Sequence, residues 1–198
     1  MITPKSGRKE FKELGIILWM SLLTEIITVL GWYVLHLNVN LIGNIFNILN
    51  LPVAVLLYRH RINWKNKNTL AYLIVIPFML FGVIDLFLIQ GFLNFNSYTT
   101  SLAAVCFIVI SLAYFYFLIQ ELPTESITRL PMFWINTANL IYYSGTFFLY
   151  LSFDYLVNVL KDNTIGTWLV HNFLGLIFYP ILWYALLLIR SEYRRQSQ

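Results

Sequence analysis

The sequence predicts an all-α, polytopic transmembrane bundle of six helices with both termini on the cytoplasmic side, and three observations carry that reading. Of 198 residues, 59% are hydrophobic and only 11% are charged, and the mean hydropathy of +0.71 lies above that of soluble domains. Several segments reach the roughly 20 apolar residues that a spanning helix needs, and together they occupy most of the chain. Under a six-helix arrangement, twelve of the thirteen lysines and arginines fall on one side, leaving Lys161 alone opposite. An odd helix count would destroy that sorting. The expected helices are 14–37, 41–58, 70–93, 101–119, 131–155 and 166–189, forming one integral membrane domain over 1–198.

The first helix follows a basic start, Lys5 to Lys12, and its apolar run is long and lacks a small-residue cleavage site, so it reads as a retained helix. Ser21, Thr24, Glu25 and Thr28 recur at helical spacing and predict a narrow polar stripe facing inward. The second helix carries Asn44, Asn47 and Asn50 in three-residue steps, and Pro52 inside it frees the Ile48 carbonyl. The segment RHRINWKNKN that follows is basic, contains Trp64 and reads as a loop against a membrane surface.

The third helix holds Pro77, Gly82, Asp85 and Gln90, and the uncharged stretch Gly91 to Thr100 reads as a link. The fourth offers Ala103, Ala104, Ser111 and Ala113 for close approach and has no charge between its ends. It is expected at the periphery, with Phe107 and Leu112 toward lipid. The fifth opens on Pro131, where a missing N–H costs least. Its Asn136, Asn139, Tyr143, Thr146, Tyr150 and Asp154 follow at steps of three or four and predict one polar face on an apolar cylinder. Such a face turns away from lipid, and other helices are expected to supply its partners. The sixth places Trp168, His171, Gly175 and Tyr179 on one side, with Pro180 as a kink.

At about 1.5 Å per residue, Glu25 falls near mid-membrane, Asn139 and Tyr143 close to it, and Asn47, Asp85 and His171 in the outer half. One reading makes these six the lining of an outward-facing polar pocket in which Glu25 and Asp85 bind a cation or proton. The other makes them glue between helices. The asparagine rows favour glue, and for the two carboxylates both readings stand.

Other chemistries find little support. Ser144 and His171 lie at different expected depths, and Ser144 is off the polar stripe, so a serine–histidine pair is not expected. His36, His60 and His171 are scattered and Cys106 is the single cysteine, which predicts no metal site. No arginine stands five residues before a histidine, and no glycine-rich phosphate loop occurs. No cofactor is expected. The basic segments match a topology signal plus attraction to anionic lipid; with only Trp64 and Tyr193 interleaved, they do not read as a nucleic-acid surface. Oligomeric state is left open.

The stretches QGFLNFNSYTT, SLAYFYFLIQ, PMFWIN with YYSGTFFLYLSFDYL, and TWLVHNFLGLIFYPILWY cover about half the chain. They resemble a family of small multi-pass bacterial membrane proteins, one similar in length, helix count and basic inner face to the membrane accessory proteins encoded beside the RNA-targeting nuclease of type VI-B CRISPR systems. The resemblance implies a bacterial inner-membrane location and a regulator of a cytosolic RNase rather than an enzyme. It carries over no active-site residue. On that reading the contact with the partner falls on the densest basic cluster, Arg59, Arg61, Lys65 and Lys67. The alternative function is a transporter or sensor of an ion or small ligand using the polar pocket.

Overall fold

The computed structural model describes residues 4–61, 67–121, 126–161 and 165–196. Among these, the chain is all helical, with no strand: α1 is Pro4–Tyr33, α2 Asn40–Arg61, α3 Lys67–Ile84, α4 Ser97–Glu121, α5 Pro131–Asn158 and α6 Ile165–Gln196. A π-helical turn, Asp85–Ile89, continues α3, and a short 3-10 turn, Ile127–Arg129, precedes α5. Four helical stretches are long and apolar enough to cross a membrane: Glu13–Gly31, Ala71–Ile89, Ser97–Gln120 and Gly166–Ser191. The apolar stretch of α2, Asn40–Leu56, is shorter. In α5 the polar face dilutes an otherwise apolar helix.

The chain divides into two compact units, Lys12–Ala103 and Met1–Phe11 with Ala104–Gln198. In the first, α2 and α3 pack against each other. Ile48, Leu51, Ala54 and Val55 of α2 are buried, as are Ala71 and Phe78 of α3. At Gly82 an added Cβ would lie 2.9 Å from Ile48 Cγ1 and 3.4 Å from Thr99 Cγ2. Leu73, Ile76 and Leu80 line the outside of α3, an apolar stripe suited to lipid.

In the second unit, α5 packs on α6. The buried row of α6, Phe178, Leu182, Ala185 and Ile189, repeats at three to four residues, as a helix seam requires. Its opposite row, Leu169, Phe173, Leu176 and Trp183, is exposed. On α5 the predicted polar face is the buried face: Asn136, Asn139, Tyr143, Thr146 and Tyr150 are all buried, and only Asp154 is half-exposed.

Two sequence expectations need correction. The link predicted over 91–100 is shorter, because α4 starts at Ser97, where side chains from the preceding turn hold its first N–H groups. Nor is α4 peripheral along its length. Ala103, Ala104, Phe107, Ile110, Ser111 and Tyr114 form a buried face, and Phe107, only 3% exposed, stacks on Tyr143 with ring centroids 4.1 Å apart. Lack of charge left the helix free to be buried on one side and wet by lipid on the other.

Candidate functional site

In the unit Lys12–Ala103, the polar residues converge on the start of α4. The first N–H groups of a helix lack partners within it, and in apolar surroundings they need others. Here each has one. The Asn96 N–H donates to Asn44 Oδ1 at 3.0 Å, Ser97 N–H to the Phe95 carbonyl at 2.9 Å, and Tyr98 N–H to Gln90 Oε1 at 3.1 Å. Thr99 N–H donates to Asp85 Oδ2 at 3.0 Å, and the Thr99 hydroxyl donates to the same oxygen at 2.6 Å. A carboxylate at this end also meets the positive pole of the helix dipole.

The turn itself is fastened from α2. Asn44 Nδ2 donates to the Asn94 carbonyl at 2.8 Å and lies 2.8 Å from the Asn96 side-chain amide. Asn38 and Asn40 both donate to the Leu93 carbonyl at 2.8 Å, and Asn47 donates to Thr100 Oγ1 at 2.9 Å. Gly91, at φ +81°, supplies the left-handed backbone that ends the π-helical turn. Asp85 is 0% exposed, and nothing among the described residues donates to its Oδ1. Leaving an ionised oxygen buried without a donor costs on the order of several kcal/mol.

In the second unit the centre is His171. Its Nδ1 lies 2.7 Å from the Tyr150 hydroxyl and 3.2 Å from that of Tyr142, and the two hydroxyls are 3.2 Å apart. Either hydroxyl can donate to Nδ1 or accept from it, according to the imidazole tautomer. Trp168 meets the imidazole edge-on at 5.4 Å, and Phe178 covers Tyr142 at 4.6 Å. This cluster ties α5 to α6. Ser144 of α5 is exposed, and the bonds to the imidazole come from Tyr142 and Tyr150.

Of the six residues expected to line one pocket, Glu25, Asn47 and Asp85 belong to the unit Lys12–Ala103 and Asn139, Tyr143 and His171 to the other. Asn47 and Asp85 bond to successive residues of α4, Thr100 and Thr99. Tyr143 lies edge-on to Tyr142 at 5.0 Å, one ring away from His171, and Asn139 is buried on the same face of α5. Of the stripe predicted to face inward on α1, Ser21 is buried and Thr24 and Thr28 are half-buried, whereas Glu25 is exposed among the apolar side chains Leu22, Ile26 and Val29. Ser21 explains why that stripe need not face a partner, since its hydroxyl donates to the Ile17 carbonyl of its own helix at 2.9 Å. Of the basic cluster, Lys65 lies outside the described residues, and so do the side chains of Arg59, Arg61 and Lys67.

Sequence reasoning missed Thr99, Asn96, Gln90 as a cap, and Tyr142. Tyr142 could have been found from its four-residue steps to Thr146 and Tyr150. No protein-family model, curated protein or solved structure matches the chain, so the resemblance to small multi-pass bacterial membrane proteins rests on its quoted stretches alone.

Proposed function

We propose that the protein is a non-enzymatic, six-span accessory protein of a bacterial inner membrane that regulates a cytosolic partner, with both termini inside. One observation carries the reading: the polar groups of the apolar helices are engaged with one another, as in the ring of donors and acceptors around Asn44, Asn96 and Thr99 and in the Tyr142–Tyr150–His171 cluster. That pattern stabilises helices and leaves surface charge as the means of contacting partners. Two further points support the six spans. The 22 residues of α2 and the 28 of α5 correspond to roughly 33 and 42 Å of helix, enough for a hydrocarbon core of about 30 Å. The sorting of twelve lysines and arginines then follows.

The sequence resemblance nominates an RNA-targeting nuclease of the type VI-B CRISPR kind as the partner. Expressing such a nuclease with and without this protein, under challenge by an RNA phage, tests it. Altered interference is expected, weakened when Arg59, Arg61, Lys65 and Lys67 are neutralised together. Unchanged interference removes this partner, and normal regulation by the quadruple variant moves the contact elsewhere. A C-terminal phosphatase fusion active outside the cytoplasm would overturn the topology. The transporter or sensor alternative has one observation in its favour, the buried Asp85 Oδ1.

A further inference from the structure

Asp85 is the first residue of the π-helical turn and lies within Ala71–Ile89, a stretch apolar enough to span a membrane. Its Oδ2 is saturated by Thr99, while its Oδ1 is buried with no donor among the described residues. The chain offers no compensating cation nearby in sequence: no lysine or arginine occurs between Lys12 and Arg59 or between Lys67 and Arg129. The described titratable groups on the elements packed around it are few. Within the unit Lys12–Ala103 they are, on α2, α3 and the start of α4, Tyr58, buried at the far end of α2 from Asn44, and Tyr72 and Tyr98, both exposed; α4 carries Cys106, Tyr114 and Tyr116 farther along. The helix dipole supplies only a partial positive charge. A buried donor-free oxygen on an ionisable side chain is completed by a group from outside the chain, and π-helical turns recur where such sites are built.

We infer that Asp85 binds one small monovalent cation, H⁺ or Na⁺, through Oδ1, with Thr99 and the start of α4 holding the carboxylate in place. A neutral donor would satisfy the oxygen but leave its charge in an apolar segment; a cation removes both problems. This site stands independently of the regulatory function proposed above.

The test uses the full chain in nanodiscs, following thermal unfolding by tryptophan fluorescence. One arm replaces choline chloride by NaCl at fixed pH and ionic strength. The other varies pH over about 5 to 8 in choline. At a cation concentration near 100 times its dissociation constant, Tm should rise by roughly 5–10 °C. Asp85→Asn, whose amide oxygen can still accept from Thr99, should lose that response. A sodium response assigns Na⁺, and a rise in Tm only toward low pH assigns H⁺. A wild-type protein flat in both arms, or a response that survives Asp85→Asn, overturns the site.

If Asp85→Asn does not insert, the wild-type protein is treated with dicyclohexylcarbodiimide, which modifies protonated carboxyls in apolar surroundings. Modification of Asp85 that falls with rising pH or with Na⁺ supports the site. No modification at any pH, or modification indifferent to both, overturns it, with the lipid-facing Glu25 as the control for reagent access.

Discussion

The Tyr150 hydroxyl and His171 Nδ1, 2.7 Å apart, join α5 to α6 through a bond that no residue in either helix could make alone. Both groups sit on apolar helices, so the bond counts against desolvated alternatives and not against free water. Tyr150→Phe keeps the ring and deletes the hydroxyl. It should cost about 1 kcal/mol, lowering Tm by roughly 2–4 °C in a thermal scan. A double cycle with His171→Ala should show most of that cost as coupling, and purely additive losses would refute the link.

Gly82 lies where α3 meets both Ile48 and Thr99. Gly82→Ala gains about 1 kcal/mol of helix propensity, but forcing a methyl to within 2.9 Å of Ile48 Cγ1 incurs about 1–3 kcal/mol of overpacking. Net destabilisation is expected, and Gly82→Leu should block assembly. Combining Gly82→Ala with Ile48→Ala should recover part of the loss. Independent effects in that pair would mean the contact is not tight.

Asn44→Ala deprives the buried Asn96 N–H of its acceptor and the Asn94 carbonyl of its donor. A loss of about 1–3 kcal/mol follows. The sharper signature is local: amide hydrogen exchange should rise across Asn94 to Thr100, the start of α4, well before it rises in α6. Uniform acceleration would contradict the capping role.

Glu25→Leu replaces an exposed carboxyl on an apolar face. Stability should stay within about 0.5 kcal/mol of the parent protein or increase, and the yield of inserted protein should rise because a charged group leaves the lipid face. A Tm loss larger than that of Tyr150→Phe would show that Glu25 has a partner in the folded bundle.

Much of the bundle was legible because helical spacing maps directly onto burial. The row Asn136, Asn139, Tyr143, Thr146, Tyr150 and Asp154 was read as one inward face, and all of these side chains but the half-exposed Asp154 are buried. The same logic failed for Glu25, since polar spacing shows which residues share a face but not what that face meets. The third helix was expected to run over 70–93; hydropathy cannot show a π-helical turn, and so the Asp85–Thr99 bond across fourteen positions was hidden. For α4, absence of charge was taken as exposure, whereas small residues at 103 and 104 admit a neighbour as readily as lipid does.

Several polar side chains of α5 donate to a carbonyl four residues back: Asn136 to Met132, Thr137 to Phe133, Thr146 to Tyr142 and Ser152 to Phe148. These bonds need no second helix and exist as soon as α5 has coiled. As one of the six spans proposed above, α5 would then leave the translocation channel sideways before α6 has been translated, with part of its polarity already masked. The Tyr142 and Tyr150 hydroxyls meet each other at 3.2 Å within α5 and gain His171 Nδ1 from α6. His171 adds the bond that crosses to α6, so in the six-span bundle proposed above the arrival of α6 would join the two arms of the hairpin.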